Sequence, residues 1–497
     1  MILFGTGGIR GRMRVGEFDD SLVAQVSEAV SRWLTDEGGT TVVIAYDTRR
    51  NSEQFAHLAA SVFSKNRLKV FVFDRPMPTP VLSFAVRYME ADAGVVITAS
   101  HNPPEYNGYK VYTSNGVQAL PDVTEKISQH LSQIGEVPAL RGAKEQKPVP
   151  KEVQDAYEEA VMALMEEYGF GHKPKLAYSP LHGTGFGIVD TLLRKMGVDA
   201  CVVEEQSMWD GRFPTTPSPN PEDDEALSLL VKKMREEGVS YGIATDPDTD
   251  RVGFVVMEQG QPKRLTGNQV GVLLADLSMK RRKLENPYVV KTIVTTDMVI
   301  PLCEEHNVEV CQTPTGFKYI GDLIHRREME GNRGFLFGFE ESCGYLTGDF
   351  VKDKDGVIAS CLLASLASYG DVLNRLEELY RKVGYYMERL INVSLTSVGV
   401  AKRLYDRLRE RPPERVGSFR LSSFRDYSQN PGDVVPNETL LLETEAGRIF
   451  VRPSGTEPKL KLYIMVREET EQKARKLLNA LDEASRMLVD SLLNFVT

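Results

Sequence analysis

The apolar positions of this chain fall into two alternating patterns. Short continuous runs at 41–45 and 68–72 read as buried strands. Between them, residues 52–65 carry apolar side chains at helical spacing, with Asn51 or Ser52 as the cap. Strand–helix–strand units of this kind build a mostly parallel sheet. The run 93–97 adds another strand. A Lys/Pro-rich stretch at 144–151 reads as a linker, after which the alternation restarts with strand 175–178, helix 185–196 and strands 200–203 and 241–244. It begins a third time at 264–267, with a helix to 282, strands at 289–293 and 335–337, and a helix-rich stretch over 355–380. From 387 the order changes to strand 390–395, helix 400–408, strands 439–442, 448–451 and 460–466, and a last helix from its cap Thr470 to 492. The expected fold class is α/β: three similar mixed α/β domains, 1–145, 146–264 and 265–385, and a smaller α+β C-terminal domain, 386–497.

Composition narrows the function classes. Hydrophobic and charged fractions of 41% and 26% are those of a globular enzyme. A formal net charge of −10 offers no basic excess to displace counterions, so no nucleic-acid partner is expected. Five cysteines, an odd count without CxxC spacing, indicate neither a zinc site nor a disulfide framework, and Cys201 and Cys361 lie in apolar, core-like segments. Met1 to Phe4 is too short an apolar run for a signal peptide, and no run approaches the ~18 apolar residues of a membrane helix. The expectation is a cytoplasmic protein without a membrane partner.

Four loops carry chemistry. Thr98-Ala99-Ser100-His101-Asn102-Pro103 follows the strand 93–97, which presents Ser100 to a cleft rather than to the core. With Lys110 the loop offers a hydroxyl, an imidazole and an ammonium, a set suited to a nucleophile that carries a phosphoryl group. Asp246-Pro247-Asp248-Thr249-Asp250-Arg251 follows the strand 241–244, and its alternate carboxylates converge on a hard cation. Arg251 and Met257 stand where a calcium loop needs glycine and glutamate, so magnesium completed by a phosphate oxygen fits better than calcium. The plain alternative is a solvated acidic turn. Gly338-Phe339-Glu340-Glu341-Ser342-Cys343-Gly344-Tyr345 offers acids and a hydroxyl for sugar hydroxyls, or ordinary surface acids. Arg452-Pro453-Ser454-Gly455-Thr456-Glu457-Pro458-Lys459 holds phosphate-binding residue types, or a simple β-turn. A serine hydrolase is a weaker reading, since no G-x-S-x-G is present and His101 is expected to be too close in sequence to be positioned as a triad base.

Together and in this order, the four loops resemble those of the α-D-phosphohexomutases, the phosphoglucomutase/phosphomannomutase superfamily, over essentially the whole chain. Residues 4–11, Asp47-Thr48-Arg49, Thr313-Pro314-Thr315-Gly316-Phe317-Lys318 and Lys352-Asp353-Lys354-Asp355-Gly356 match as well, and Ser179-Pro180-Leu181-His182-Gly183-Thr184-Gly185 is similar to a stretch in bacterial glucose-type members. The resemblance implies a heart-shaped, four-domain molecule around a central cleft, monomeric or homodimeric. It implies phosphoserine at Ser100, with Mg²⁺ held by Asp246, Asp248, Asp250 and that phosphoserine. Arg10, His101, Lys110 and Arg251 would surround it. Thr315, Gly316, Glu340, Ser342 and Lys354 would bind the sugar, and Arg452, Ser454, Gly455, Thr456 and Lys459 the non-reacting phosphate.

The implied reaction interconverts glucose 1-phosphate and glucose 6-phosphate through glucose 1,6-bisphosphate, which is intermediate and activator. The Glu340-Glu341-Ser342 loop lacks the histidine of the mannose type, which favours glucose. Mannose, pentose and glucosamine phosphates are the alternative substrates, and an inactive phosphosugar-binding protein the alternative class. Lys110 and His101 are the candidates for proton transfer. Residues 383–387 are the expected hinge for rotation of the last domain.

Overall fold

Runs that are apolar on both faces become interior strands because helices cover both sides of a parallel sheet. In the computed structural model, which describes Gly5, 7–135, Val137, 146–454 and 458–493, the first sheet comprises β1 (Ile9–Arg12), β2 (Thr41–Tyr46), β3 (Lys69–Val72), β4 (Ala93–Ile97), β5 (Tyr106–Thr113) and β6 (Gln146–Pro148). Their order is β1-β5-β4-β2-β3-β6. The strands β4, β2, β3 and β6 run parallel, and β5 and β1 continue the sheet antiparallel. The expected linker is thus in part an edge strand, β6. Its Lys147 and Pro148 are exposed, as an edge permits, so no apolar pattern marks it. Residues 144 and 145 of that stretch, the initial 1–4 and Thr6 lie outside the described residues.

The helix Ser52–Lys65 matches its predicted span, but Asn51 at its N-cap sits at φ +62° and makes no side-chain cap bond. Ser52 does not cap it either; its hydroxyl donates to Asp47 at 2.7 Å. The second sheet comprises β7 (Lys175–Ser179), β8 (Asp199–Val202), β9 (Tyr241–Thr245), β10 (Val252–Glu258) and β11 (Gln261–Leu265) in the order β11-β10-β9-β7-β8. The helix expected over 185–196 is confined to Val189–Lys195. The preceding turn is committed elsewhere: a Cβ on Gly183 would lie 2.6 Å from the Cα of Pro247.

Two units emerge from the packing. The first is the chain up to Val290 with Gly316–Val372; the second is Lys291–Thr315 with the chain from Leu373. β12 (Tyr288–Thr292) begins in the first unit, where the Tyr288 N–H donates to Gly334. In the second, the Ile293 N–H donates to Thr313 at the end of β13 (Glu309–Thr313). β14 (Phe335–Glu340) and β15 (Gly344–Leu346) form an antiparallel pair in the first unit.

The second unit holds β16 (Tyr385–Ser394), β17 (Arg415–Val416), β18 (Phe419–Asp426), β19 (Leu440–Thr444), β20 (Gly447–Pro453) and β21 (Lys459–Glu468), all antiparallel, in the order β16-β21-β20-β19-β18-β17. Leu404 and Leu408 of the helix Val398–Glu410 and Leu481 of the helix Glu471–Leu493 pack on Ile391, Leu442, Ile449 and Leu462. Thr470 does sit before the last helix, its hydroxyl accepting the Lys473 N–H at 3.4 Å. Ile293 and Val294 join Tyr427, Leu441, Phe450 and Tyr463 in a further cluster. The expected hinge therefore falls inside this unit, where Arg467 donates to Val383 O at 3.1 Å; the chain instead leaves the first unit after Val372. Among the described residues no single helix is long and apolar enough to cross a membrane.

Candidate active site

In the first unit one structural position recurs in three sheets. The turn between β4 and β5 carries Ser100, the turn between β9 and β10 carries Asp246, Asp248 and Asp250, and the turn between β14 and β15 carries Glu341 and Ser342, with Glu340 ending β14. For Ser100 and the aspartates this is the carboxyl end of the last parallel strand, where the next strand reverses direction. Ligands collect at that edge because backbone and loop polar groups are there unengaged by the sheet.

Ser100 is 1% exposed and takes φ +53°, a left-handed conformation that a non-glycine residue adopts only under constraint. Its N–H donates to the Thr98 hydroxyl at 2.8 Å. Its Oγ donates to Asp246 Oδ2 at 2.6 Å and lies 3.2 Å from His101 Nδ1. Burial, with Arg251 and Arg10 nearby, holds the His101 imidazole well below its usual range, hence neutral. Arg10, on β1, donates to Asn102 Oδ1 at 3.0 Å, and its Nε is buried without a hydrogen-bond partner. Lys110 belongs to strand β5, not to the loop. It donates to Asp248 Oδ2 at 2.7 Å and Asp250 Oδ2 at 2.9 Å. Burial alone would lower its pKa, but the two carboxylates outweigh it and raise it.

The three aspartates bring one oxygen each within 4.8 Å of one another. Asp246 Oδ1 accepts the Asp250 and Arg251 N–H groups, both at 3.0 Å. Asp250 Oδ2 also receives Lys354 at 2.9 Å, and Asp248 Oδ2 receives the Thr79 hydroxyl at 2.9 Å. Asp248 Oδ1 and Asp250 Oδ1 are buried without a hydrogen-bond partner. Buried carboxylate oxygens left unpaired are costly, and a hard divalent cation is what this donor set fits. Burial and its neighbours Asp248 and Asp250 push Asp246 well above the usual carboxylate range. For Asp250, Lys110, Lys354 and Arg251 overcome burial and hold it low.

Thr249, between two of the aspartates, sits at φ +54°, rare for a β-branched residue. The turn 181–185 fixes it: Thr184 Oγ1 donates to Pro247 O at 3.0 Å and shares a 2.8 Å hydrogen bond with Thr249 Oγ1. The 179–185 stretch is thus a buttress for the acidic turn, legible in sequence only as a resemblance. Thr79, which binds Asp248, carries no sequence signal at all.

Glu340 is buried and accepts the Gly316 N–H at 2.8 Å. Burial and adjacent Glu341 push its carboxyl up to about 7. Ser342 is half-buried in the turn beyond it. Arg251 pairs with Glu222 at 2.7 Å. Thr315, Arg452, Ser454 and Lys459 belong to the second unit. There Arg452 lies next to the end of β20, Lys459 begins β21, and the Ser454 N–H donates to Lys459 O at 2.9 Å. Gly455 and Thr456 lie outside the described residues.

Models of the phosphoglucomutase/phosphomannomutase α/β/α domains I, II and III match residues 1–137, 156–260 and 266–384, and the model of the C-terminal domain matches 420–484. A phosphoglucomutase of Staphylococcus aureus is 32% identical over 94% of this chain and 90% of its own length. The chain belongs to the phosphoglucomutase/phosphomannomutase family. A phosphoglucomutase of Staphylococcus haemolyticus is likewise 32% identical, covering 96% of this chain and 93% of that protein. Among solved structures of the family, a putative phosphomannomutase from Thermus thermophilus superposes with a TM-score of 0.77 at 26% identity, over 98% of this chain and 99% of that one. The three motif-bearing turns are therefore corresponding features of three family domains.

Proposed function

We propose that this phosphohexomutase-family protein interconverts glucose 1-phosphate and glucose 6-phosphate through a phosphorylated Ser100, in four domains bounded as 1–145, 146–264, 265–385 and 386–497. One observation carries the reading: Ser100 Oγ stands within hydrogen-bond reach of both Asp246 and a neutral His101, beside two carboxylate oxygens that lack partners. The relatives named phosphoglucomutase support glucose as the sugar. In the forward step the P–Oγ bond of phosphoserine breaks and a bond from phosphorus to a sugar hydroxyl oxygen forms, giving the bisphosphate. The sugar hydroxyl loses one proton and Ser100 Oγ gains one. In the return step the other phosphoryl group passes to Ser100 Oγ and the proton movements reverse.

His101 Nδ1, 3.2 Å from Ser100 Oγ, is the candidate to take the Ser100 proton in that return step. Lys110, whose ammonium is held by Asp248 and Asp250, is the candidate to give the sugar oxygen its proton in the return step. Arg10 and Arg251 oppose the charge of the transferring group. Asp246, Asp248, Asp250 and a phosphoserine oxygen would hold Mg²⁺, which would supply charge neutralisation for phosphoryl transfer. Glu340, Ser342, Lys354, Thr315 and Gly316 take the sugar, and Arg452, Ser454, Gly455, Thr456 and Lys459 the phosphate that does not react.

Ser100→Ala is the test. It is expected to leave the fold intact, abolish turnover and remove the phosphate adduct from the intact-mass spectrum after incubation with glucose 1,6-bisphosphate. Turnover retained in that variant contradicts the reading. Comparison of kcat/KM for glucose, mannose, glucosamine and pentose phosphates decides the sugar.

A further inference from the structure

Arg49 lies outside the residues assigned to the reaction, yet it is 3% exposed and its guanidinium is spent almost wholly on one loop. Nη2 donates to the carbonyls of Ser100 and Asn102, and Nη1 to those of Pro103 at 2.9 Å and Tyr106 at 3.2 Å. Its Nε faces Asp47 Oδ2 at 3.2 Å. Asp47, itself 1% exposed, is fixed by the Thr98 hydroxyl at 2.6 Å, the Ser52 hydroxyl at 2.7 Å and the Arg49 N–H at 3.0 Å.

The second domain covers this cluster. The Phe213 ring lies 5.0 Å from the guanidinium, a Cβ on Gly211 would lie 2.3 Å from the Arg50 nitrogen, and the Ser218 hydroxyl donates to His101 O at 3.1 Å. Burying a cation carries a large desolvation cost, which its partners must offset. Here a planar fork gathers four carbonyls of the turn that holds Ser100 at φ +53° with its Oγ on Asp246.

We propose that Arg49 is a positioning residue for phosphoryl transfer at Ser100: held by Asp47 and covered by Phe213, it locks the backbone of the 100–106 turn so that the seryl oxygen, and the phosphate it carries, points at the acidic triad. The inference rests on the phosphoserine reading above. An ammonium keeps the charge but cannot span the two pairs of carbonyls, so Arg49→Lys isolates the fork. Displacement of a reacting atom by about 1 Å costs up to a hundredfold in rate.

The experiment compares wild type, Arg49→Lys and Phe213→Leu after loading with glucose 1,6-bisphosphate in Mg²⁺. It measures kcat and KM for glucose 1-phosphate, loss of phosphate to water by intact mass, and circular dichroism. For Arg49→Lys the expected result is kcat lower by roughly ten- to a hundredfold, KM within about twofold of wild type, faster loss of phosphate to water, and an unchanged spectrum. Phe213→Leu moves kcat and phosphate loss the same way and less far. Wild-type kcat and phosphate retention in Arg49→Lys overturn the proposal. If Arg49→Lys does not fold, Phe213→Leu decides: faster phosphate loss supports the proposal and wild-type behaviour overturns it. A wild-type protein that takes up no phosphate refutes instead the phosphoserine reading on which the proposal rests.

Discussion

At the scale of single residues, burial sets the charge states the site works with. Glu340 shows the sign of the effect. Its carboxyl, buried beside Glu341, titrates at about 7 in the folded chain against 4.5 for a free glutamate. A raised acid pKa means the folded state keeps a proton that the unfolded state has lost. The cost is absent below about pH 4.5, grows as pH rises, and is fully present above about pH 7. Glu340→Gln keeps the oxygen that accepts the Gly316 N–H and removes the titration. Melts at pH 5 and pH 8 are expected to show the variant losing less stability over that interval than wild type, by an amount on the order of 2–4 kcal/mol. Equal losses contradict it. The same variant is expected to raise KM for glucose 1-phosphate, since the oxygen offered to the sugar no longer carries charge.

At the scale of elements, what the sequence disclosed depended on whether a residue's task is local. Ser100 and the three aspartates stand in turns directly after apolar strands, so pattern and chemistry coincide and both turns are legible. The turn carrying Glu340 and Ser342 is legible for the same reason, though its acids also suit a bare surface. Lys110 was misplaced in a loop because β5, Tyr106–Thr113, is part polar and opens with a turn-like Tyr-Asn-Gly. β6 went unread because an exposed edge strand needs no apolar pattern. Thr79 and Arg49 act across the fold on a carboxylate and on carbonyls, and no local spacing encodes that. The expected helix began too early, at 185, because residues 185–188 continue the apolar periodicity of the helix Val189–Lys195; the 181–185 turn before it is a separate feature. Its glycines allow close approach to the acidic turn. Gly183→Ala places a Cβ 2.6 Å from Pro247, which forces the turn apart. The expected cost is about 1–3 kcal/mol, with weaker Mg²⁺ affinity and so lower activity at low metal, measured by melting and by metal titration of turnover. Unchanged metal affinity contradicts the buttress role.

At the scale of the whole molecule, the electrostatic balance of the site tells what a metal is for. The formal net charge is −10, yet the three buried aspartates face Lys110, Lys354 and Arg251. Lys110, Lys354 and Arg251 offset the charge of the acidic turn, so the unphosphorylated protein is expected to make only a small demand on a cation for folding. Phosphorylation of Ser100 breaks that balance by adding roughly −2 beside Asp246. A divalent ion then binds the phosphorylated protein more tightly than the unphosphorylated one, and by linkage stabilises it more. Excess chelator is expected to abolish turnover of the phosphorylated protein and Mg²⁺ to restore it. The melting temperature is expected to fall on chelation by a few degrees at most in the unphosphorylated protein, and clearly further in protein loaded with glucose 1,6-bisphosphate and freed of sugar. Scanning calorimetry of the two forms, with and without chelator, measures the difference. Undiminished turnover in chelator contradicts a metal requirement. Equal melting shifts in the two forms place the metal's binding energy on the aspartates alone and contradict phosphoserine as one of its ligands.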